Sequence, residues 1–411
     1  MTNHLPAIGD LEALLVGGGS VYLSGCAAEI PGFERIALNS ENNPLNISGI
    51  FLPGINKCNY STLANNARCQ TYFMTPQMAV SSVDGGVNYC PWRYREIIRH
   101  YLLNPVDVAV VMLSEPDAEG FCSYGVTSDF APFILPAAKT RVGIINSQMP
   151  YIPGEKIAFE ELDVVVRVDS PLIETAAARI DDVSRQIACN IAGFIENGAT
   201  LQLGLGSIPG AVASVIQDRR GLKIHSGLIE ASALELDAAG ALCPDTPILG
   251  GVALGTKDFY DALHNNNRVS FRSVLTTHDV DYIASADSFV AVNGALQVDL
   301  LGQVNSSVLP KGYISGPGGL PEFVAGSLAS ENGRSIIALN ATAKSGEISR
   351  IVPVLQGCQP SVSALDVDVV VTEFGVAELR GKGLSERIAR MIAIADPAHR
   401  DALAEAARTA F

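Results

Sequence analysis

The residues best placed to do chemistry lie in the second half of the chain. Ser288–Asn293 reads as a short buried strand, and a turn at Asn293-Gly294 brings Gln297 to its carboxyl end, where open α/β sheets place their ligands. Gly204-Leu205-Gly206-Ser207-Ile208-Pro209 follows a strand read over Thr200–Leu203 and precedes a helix starting at Ala211. That arrangement aims backbone N–H groups at an anion from a positive helix end, although glycine in such a turn also serves geometry alone. Gly316, Gly318 and Gly319 let the backbone approach a ligand and turn N–H groups towards a developing oxyanion, while Pro321 removes one donor and Glu322 adds a carboxylate. His225 reads either as a proton donor or as a satisfied histidine at a strand end. Lys344 and Arg350 read either as partners for a bound anion or as surface ion pairs. Glu230 and Glu235 read as solvated or capping carboxylates.

These groups need a scaffold of strands and helices. Asp10–Val16 has helix spacing and Ser20–Leu23 reads as a strand running into Ser24-Gly25-Cys26. Tyr94–Leu103 is an amphipathic helix, Val106–Leu113 an apolar strand, Phe133–Lys139 a short helix interrupted by Pro136, and Arg141–Asn146 and Val164–Val168 further strands. Asp169-Ser170-Pro171 is expected to cap a long helix reaching about Asn197-Gly198. Ile336–Leu339 and Val367–Thr372 are strands, and Leu384–Ile394 and Asp401–Ala407 helices. The alternation predicts an α/β protein of two related open domains with mainly parallel sheets, over residues 1–185 and 186–411, the second carrying the ligand site and Gln297. Asn39–Trp92, rich in Asn, Pro, Gly and Cys, has no clear periodicity.

Composition sets outer bounds. A chain of 411 residues exceeds one ordinary core, so two domains of roughly 200 residues are expected. With 48% hydrophobic residues, 17% charged residues and 38 glycines, it reads as well buried α/β with many tight turns. A net charge of −15 argues against nucleic-acid partners and anionic membrane surfaces. No apolar run approaches the ~18 residues that span a bilayer, and the amino terminus lacks a leader pattern, which points to the cytoplasm. Eight scattered cysteines without Cys-x-x-Cys spacing read as reduced thiols and predict no metal site; Cys26 and Cys122 stand out by their glycine-rich surroundings.

Several motifs in a fixed order resemble one family. They are Ser114-Glu115-Pro116-Asp117 through Gly120-Phe121-Cys122-Ser123-Tyr124-Gly125, Ile144–Pro150, Gly204–Pro209 with Ile224–Ile229, Asn293–Val304, Ser315–Phe323, Thr342–Pro353 and Val371–Lys382. Together they resemble the acetyl-CoA hydrolase/transferase family, the single-chain branch of the class I CoA-transferases, in its 4-hydroxybutyrate and butyryl-CoA:acetate CoA-transferase-like form. The likeness is good from about residue 95 and thin before it.

The resemblance implies coenzyme A and acyl-CoA as substrates with a carboxylic acid, no permanently bound cofactor, and a homo-oligomer, most simply a dimer. It places CoA on Gly204, Gly206, Ser207, Ile208, Pro209, Gly316, Gly318, Gly319, Lys344 and Arg350, and makes position 297 catalytic; with a natural Gln297 donating to the thioester carbonyl, Glu322 would serve as base for water, and His225 as a proton donor or polar group near the thioester. It further implies a nucleophilic glutamate where this chain has Gln297, and an amide cannot form the acyl anhydride that such transfer uses. Either Gln297 is natural and the site has moved to hydrolysis or C–C chemistry, or it was introduced to trap a complex. A CoA-binding protein without turnover is a third reading. The neighbouring Leu320, Pro321 and Glu322 also depart from the family's pattern and favour a rebuilt site.

Overall fold

Runs of apolar, β-branched residues build two parallel sheets in the computed structural model, which describes residues 8–15, 17–33 and 44–411. The chain divides into two compact units. The first comprises residues up to Ala176 together with Gly251–Leu275 and Tyr313–Gly318; the second comprises Ala177–Gly250, Thr276–Gly312 and Gly319–Phe411. Val16, the last residue of the first expected helix, and Asn39–Asn43 of the stretch without periodicity lie outside the described residues.

The first unit holds helix α1 (Ile8–Leu15) and, among the described residues, a main sheet of seven strands: β1 (Gly19–Leu23), β2 (Leu45–Gly49), β3 (Ala67–Thr71), β4 (Val87–Tyr89), β5 (Val108–Leu113), β6 (Thr140–Asn146) and β7 (Val164–Val168). Their order across the sheet is β4-β3-β2-β1-β5-β6-β7, all parallel. Every residue of β5 is buried, as expected of a parallel strand covered on both faces. The Asn39–Trp92 stretch thus supplies three sheet strands. Helix α2 (Tyr94–Leu103) turns Ile97 and Tyr101 inward, matching its sequence period. The helix expected around Pro136 is a single turn at Ala131–Ile134, stopping before the proline.

The long helix expected from Asp169 does not form there. Asn146 holds Ser170 extended, its Nδ2 donating to the Ser170 carbonyl and its Oδ1 accepting the Ser170 N–H. The helix, α3 (Asp182–Ala192), begins in the second unit, where Asp181 caps it by accepting the Ser184 N–H at 2.8 Å. A local cap twelve residues downstream therefore overrides the Asp-Ser-Pro signal.

The second unit contains β8 (Thr200–Leu203), α4 (Ser207–Val215), β9 (Lys223–Ile224), α5 (Ala231–Ala238), β10 (Phe289–Gly294), β11 (Gln297–Asp299), β12 (Val304–Asn305), α6 (Leu320–Ala329), β13 (Arg334–Ala338), β14 (Ile351–Val352), β15 (Val369–Thr372), β16 (Gly375–Glu378), α7 (Leu384–Ala393) and α8 (Arg400–Ala410). Its main sheet runs β9-β8-β10-β13-β15-β16, parallel except for the last pair. β11 leaves this sheet and joins β12 and β14. Val298, Leu300, Ile337, Val370 and Met391 share one core cluster beneath these elements. No helix among the described residues is long and apolar enough to cross a membrane.

Candidate active site

In the second unit the chain passes from β8 to β9 on one side, then crosses back to β10, β13 and β15 on the other. The reversal between β8 and β10 is a topological switch point, where the loops leaving the carboxyl ends diverge and open a crevice. A reciprocal amide pair links the ends of these two strands: Gln202 Nε2 donates to Asn293 Oδ1 at 3.2 Å, and Asn293 Nδ2 to Gln202 Oε1 at 2.8 Å. The Gly204–Pro209 turn that follows β8 is tied to β10 by the Gly204 N–H on the Val292 carbonyl.

Gly206 caps α4 with φ 112° and ψ −169°, a conformation open only to glycine. A Cβ there would meet nothing within 4 Å, and Leu205 beside it is 49% exposed, so the turn is open. Ser207 takes a hydrogen bond from Ser184 Oγ at 2.9 Å, which fixes the first turn of α4 against α3. Glu230, the residue before α5, lies at this same turn. Burial pushes its carboxyl up from the ordinary range, and the Gly206 N–H, which donates to it, offsets part of that rise.

Gln297 is half-buried on β11, with its Oε1 3.5 Å from Asn305 Nδ2, the outer limit of a hydrogen bond. Its neighbours in the motif are structural. Asp299 is fully buried and accepts the N–H groups of Leu301 and Gln303, the Gln303 amide and the Leu355 N–H. Arg387 donates to the carbonyls of Leu301 and Leu379, closing the loop from the other side. The Arg350 backbone pairs with this strand, its carbonyl accepting the Val298 N–H at 2.9 Å. Lys344 is exposed, in a left-handed turn with φ 49°.

The glycine loop expected as one piece is divided. Tyr313–Gly318 belongs to the first unit, where Ser315 accepts from the Tyr89 hydroxyl and the Met74 N–H, and a Cβ on Gly316 would stand 2.0 Å from the Tyr72 carbonyl. Gly319 caps α6 in the second unit. Pro321 thus sits in a first helical turn, where its missing N–H costs nothing, and Leu320 packs into the core. The departures at 320 and 321 are explained by helix start and packing rather than by a new loop. Glu322 is 4% exposed on that first turn.

His225 ends β9 and is buried among Tyr282, Phe289 and Phe323, with Nε2 donating to the Thr277 carbonyl at 2.9 Å. Burial lowers its pKa, and the carbonyl opposes that. Sequence reasoning missed His278. Its ring fills the space beside two glycines: a Cβ on Gly227 would lie 2.5 Å from its Cε1, and one on Gly319 2.2 Å from its Nε2. Burial, and then the nearby His225, push its pKa down to about 3, so it is neutral at physiological pH. No local pattern could have paired residues 227, 278 and 319.

The first unit has its own switch point between β1 and β5. There Gly25 abuts the Ile50 carbonyl, and the Asn56 side-chain amide both accepts the Cys26 N–H and donates to the Cys26 carbonyl. Burial pushes the Cys26 thiol well up, with Asp129 adding to the effect, so it is not a reactive thiol. The eight cysteines form no disulfide, and among the described residues no cluster of three or more His, Cys, Asp or Glu could hold a metal ion. A separate cleft of about 370 Å³ in the first unit is lined by Ser147, which belongs to the Ile144–Pro150 motif, and by Leu172, Lys257, Tyr260 and His264, which the sequence did not single out.

Residues 39–174 match the acetyl-CoA hydrolase/transferase N-terminal domain, and residues 255–407 match its C-terminal domain. The first range includes most of the stretch where the sequence resemblance is thin, while Gly204–Pro209, His225 and Glu230 fall between the two. The chain is 39% identical over 307 residues to a 4-hydroxybutyrate coenzyme A transferase of Clostridium kluyveri, covering 73% of this chain and 72% of that protein. Among solved structures it superposes on RipA from Yersinia pestis with TM-score 0.88 at 28% identity, over 99% of both chains. A 4-hydroxybutyrate CoA-transferase of Porphyromonas gingivalis gives TM-score 0.80 at 29% identity, over 98% of this chain and 97% of that one.

Proposed function

We propose that this chain, which belongs to the acetyl-CoA hydrolase/transferase family of enzymes acting on acyl-CoA, transfers coenzyme A between an acyl-CoA thioester and a carboxylic acid in the crevice of its second unit. The observation that carries this reading is the open Gly204–Pro209 turn at the β8/β10 switch point, which presents N–H groups and a helix amino end to an anionic ligand. In this reading Gly204, Gly206, Ser207, Ile208 and Pro209 receive the CoA, and Lys344 and Arg350 meet its phosphates. Gly319, at the start of α6, supplies a backbone donor to the oxyanion.

Gln297, an amide beside Arg350, hydrogen-bonds the thioester carbonyl rather than attacking it. Glu322 and His225 act as supporting polar groups, since both are buried. The site is confined to residues of the second unit; Gly316 and Gly318 belong to the first. The working assembly in this reading is a homodimer, and light scattering showing only a 43.3 kDa species at micromolar concentration would remove that part.

Calorimetry with CoA and acetyl-CoA, followed by an exchange assay with acetate, butyrate and 4-hydroxybutyrate, tests the function. Binding tighter than about millimolar and acid-dependent exchange are expected. A folded protein that binds no CoA would overturn the reading.

A further inference from the structure

Lys344, the lysine proposed to meet the CoA phosphates, sits at the tip of a hairpin with an unusual backbone. Thr342–Ala343 pairs antiparallel with Ile348–Ser349, and the turn between them carries three consecutive positive φ angles: 49° at Lys344, 56° at Ser345 and 96° at Gly346. Glycine takes such angles readily, but residues with a Cβ take them rarely, and two in a row persist only where surrounding contacts hold them. The Glu347 N–H donates to the Lys344 carbonyl at 3.3 Å, which is long for a hydrogen bond. Lys344, Ser345, Glu347 and Ile348 are exposed, so burial of the tip does not supply the restraint.

The base of the hairpin is fixed to the site. The Arg350 N–H donates to the Ala341 carbonyl at 2.8 Å, the Arg350 carbonyl accepts the Val298 N–H beside Gln297, and the Ala341 N–H donates to Glu373 Oε2 at 2.8 Å. The tip is fixed from elsewhere. His399, 53 residues from Gly346 in the chain, places its Nε2 at 2.8 Å from the Gly346 carbonyl. A carbonyl only accepts, so Nε2 carries the proton and donates it. The histidine is itself well supported: it ends the short helical turn Pro397–His399, which Asp396 caps by accepting the Ala398 N–H at 2.9 Å, and it leads into α8, whose Leu403 belongs to the core cluster.

We infer that His399 is a positioning residue for CoA binding: its Nε2–H, bonded to the Gly346 carbonyl, holds the left-handed tip that presents Lys344 to a CoA phosphate, an inference that rests on the function proposed above. A lysine on an unrestrained loop would have to order both backbone and side chain on binding; with the backbone already set, only the side-chain cost remains. In a protein of net charge −15, a phosphate gains most from a cation held in one place. His399 acts through the hairpin and not on the ligand.

Calorimetry with CoA on the whole chain, for the parent, Lys344→Ala, His399→Ala and the double variant, tests this. Each single change is expected to raise the Kd by about two- to fivefold, the range of an exposed ion pair, and the double variant to raise it no further than Lys344→Ala alone. Both losses should shrink together as salt is raised. His399→Gln, whose amide can still donate to the carbonyl, should recover most of the affinity. Hydrogen exchange read by mass spectrometry should be faster across residues 342–349 in His399→Ala and unchanged in β10 and β13. Losses that multiply in the double variant, a loss that salt does not shrink, no recovery in a folded His399→Gln, or unchanged exchange at the tip would each overturn the inference and leave the functional reading standing. Lys344→Ala with its CoA affinity intact would overturn it too. A folded parent that binds no CoA would overturn the functional reading, and this inference with it. His399→Asn, polar but too short to reach the carbonyl, takes the place of His399→Ala if that variant does not fold.

Discussion

The two units share a topology and differ at the same point of it. Each has a parallel sheet whose strand order reverses once, and each places a small-residue turn at that reversal. In the first unit the turn is sealed: Ser24, Cys26, Ala27 and Ala28 are at most 3% exposed, Gly25 touches the Ile50 carbonyl, and Asn56 ties the turn down. In the second unit the turn stands open, with Leu205 at the surface and free space beside Gly206. The comparison teaches that a switch point supplies only an opportunity for binding. Whether it becomes a site depends on how the neighbouring loops fill it.

Exchanging glycine for alanine in each turn tests that contrast most strongly. In Gly25→Ala the new Cβ would stand 1.9 Å from a backbone oxygen, and we expect a loss of at least about 3 kcal/mol, seen as collapse of the thermal transition. Asp129, buried near Cys26 and Tyr22, gives the next effect. Burial raises its carboxyl from 3.8 to about 7, against a small lowering by the Phe130 N–H. Because the folded value is the higher one, its stability contribution is fully present below the unfolded value and is lost as pH rises from about 4 to about 7. Asp129→Asn should remove that decline and raise Tm at pH 8 by an amount worth on the order of 2 kcal/mol; an unchanged pH profile would refute it.

Within the second unit, Gly227→Ala forces the buried His278 ring to move, so a cost of about 1–3 kcal/mol is expected in denaturant unfolding. Gly206→Ala meets open space, and its cost of about 1–2 kcal/mol comes from backbone conformation alone. Its larger signature should be weaker CoA binding, measured by calorimetry. The mildest change is Lys344→Ala, expected to leave Tm within about 1 °C and raise the Kd for CoA several-fold, an effect that salt should shrink. Equal CoA affinity in both Gly206→Ala and Lys344→Ala would mean that the open turn of the second unit is no more a ligand site than the sealed one of the first.

Local patterns carried the elements a long way. Tyr94–Leu103, Val164–Val168 and Thr200–Leu203 have the bounds that periodicity predicts, because helix and strand periods are set by neighbours a few residues apart. The chain's motifs also placed it in its family, and the two-sheet α/β class followed from the alternation of strand and helix. The decisions left to tertiary structure all involve distant residues. Asn146 keeps Ser170 out of a helix across 24 positions, and His278 dictates glycine at 227 and 319. Leu320, read as part of a ligand loop, is a core residue because α6 starts there. Glu230, indistinguishable in sequence from a solvated cap, is half-buried just before a helix that packs on α4. Periodicity reports which face of an element is apolar, but a site is made of groups whose proximity comes only from how those faces are buried against one another.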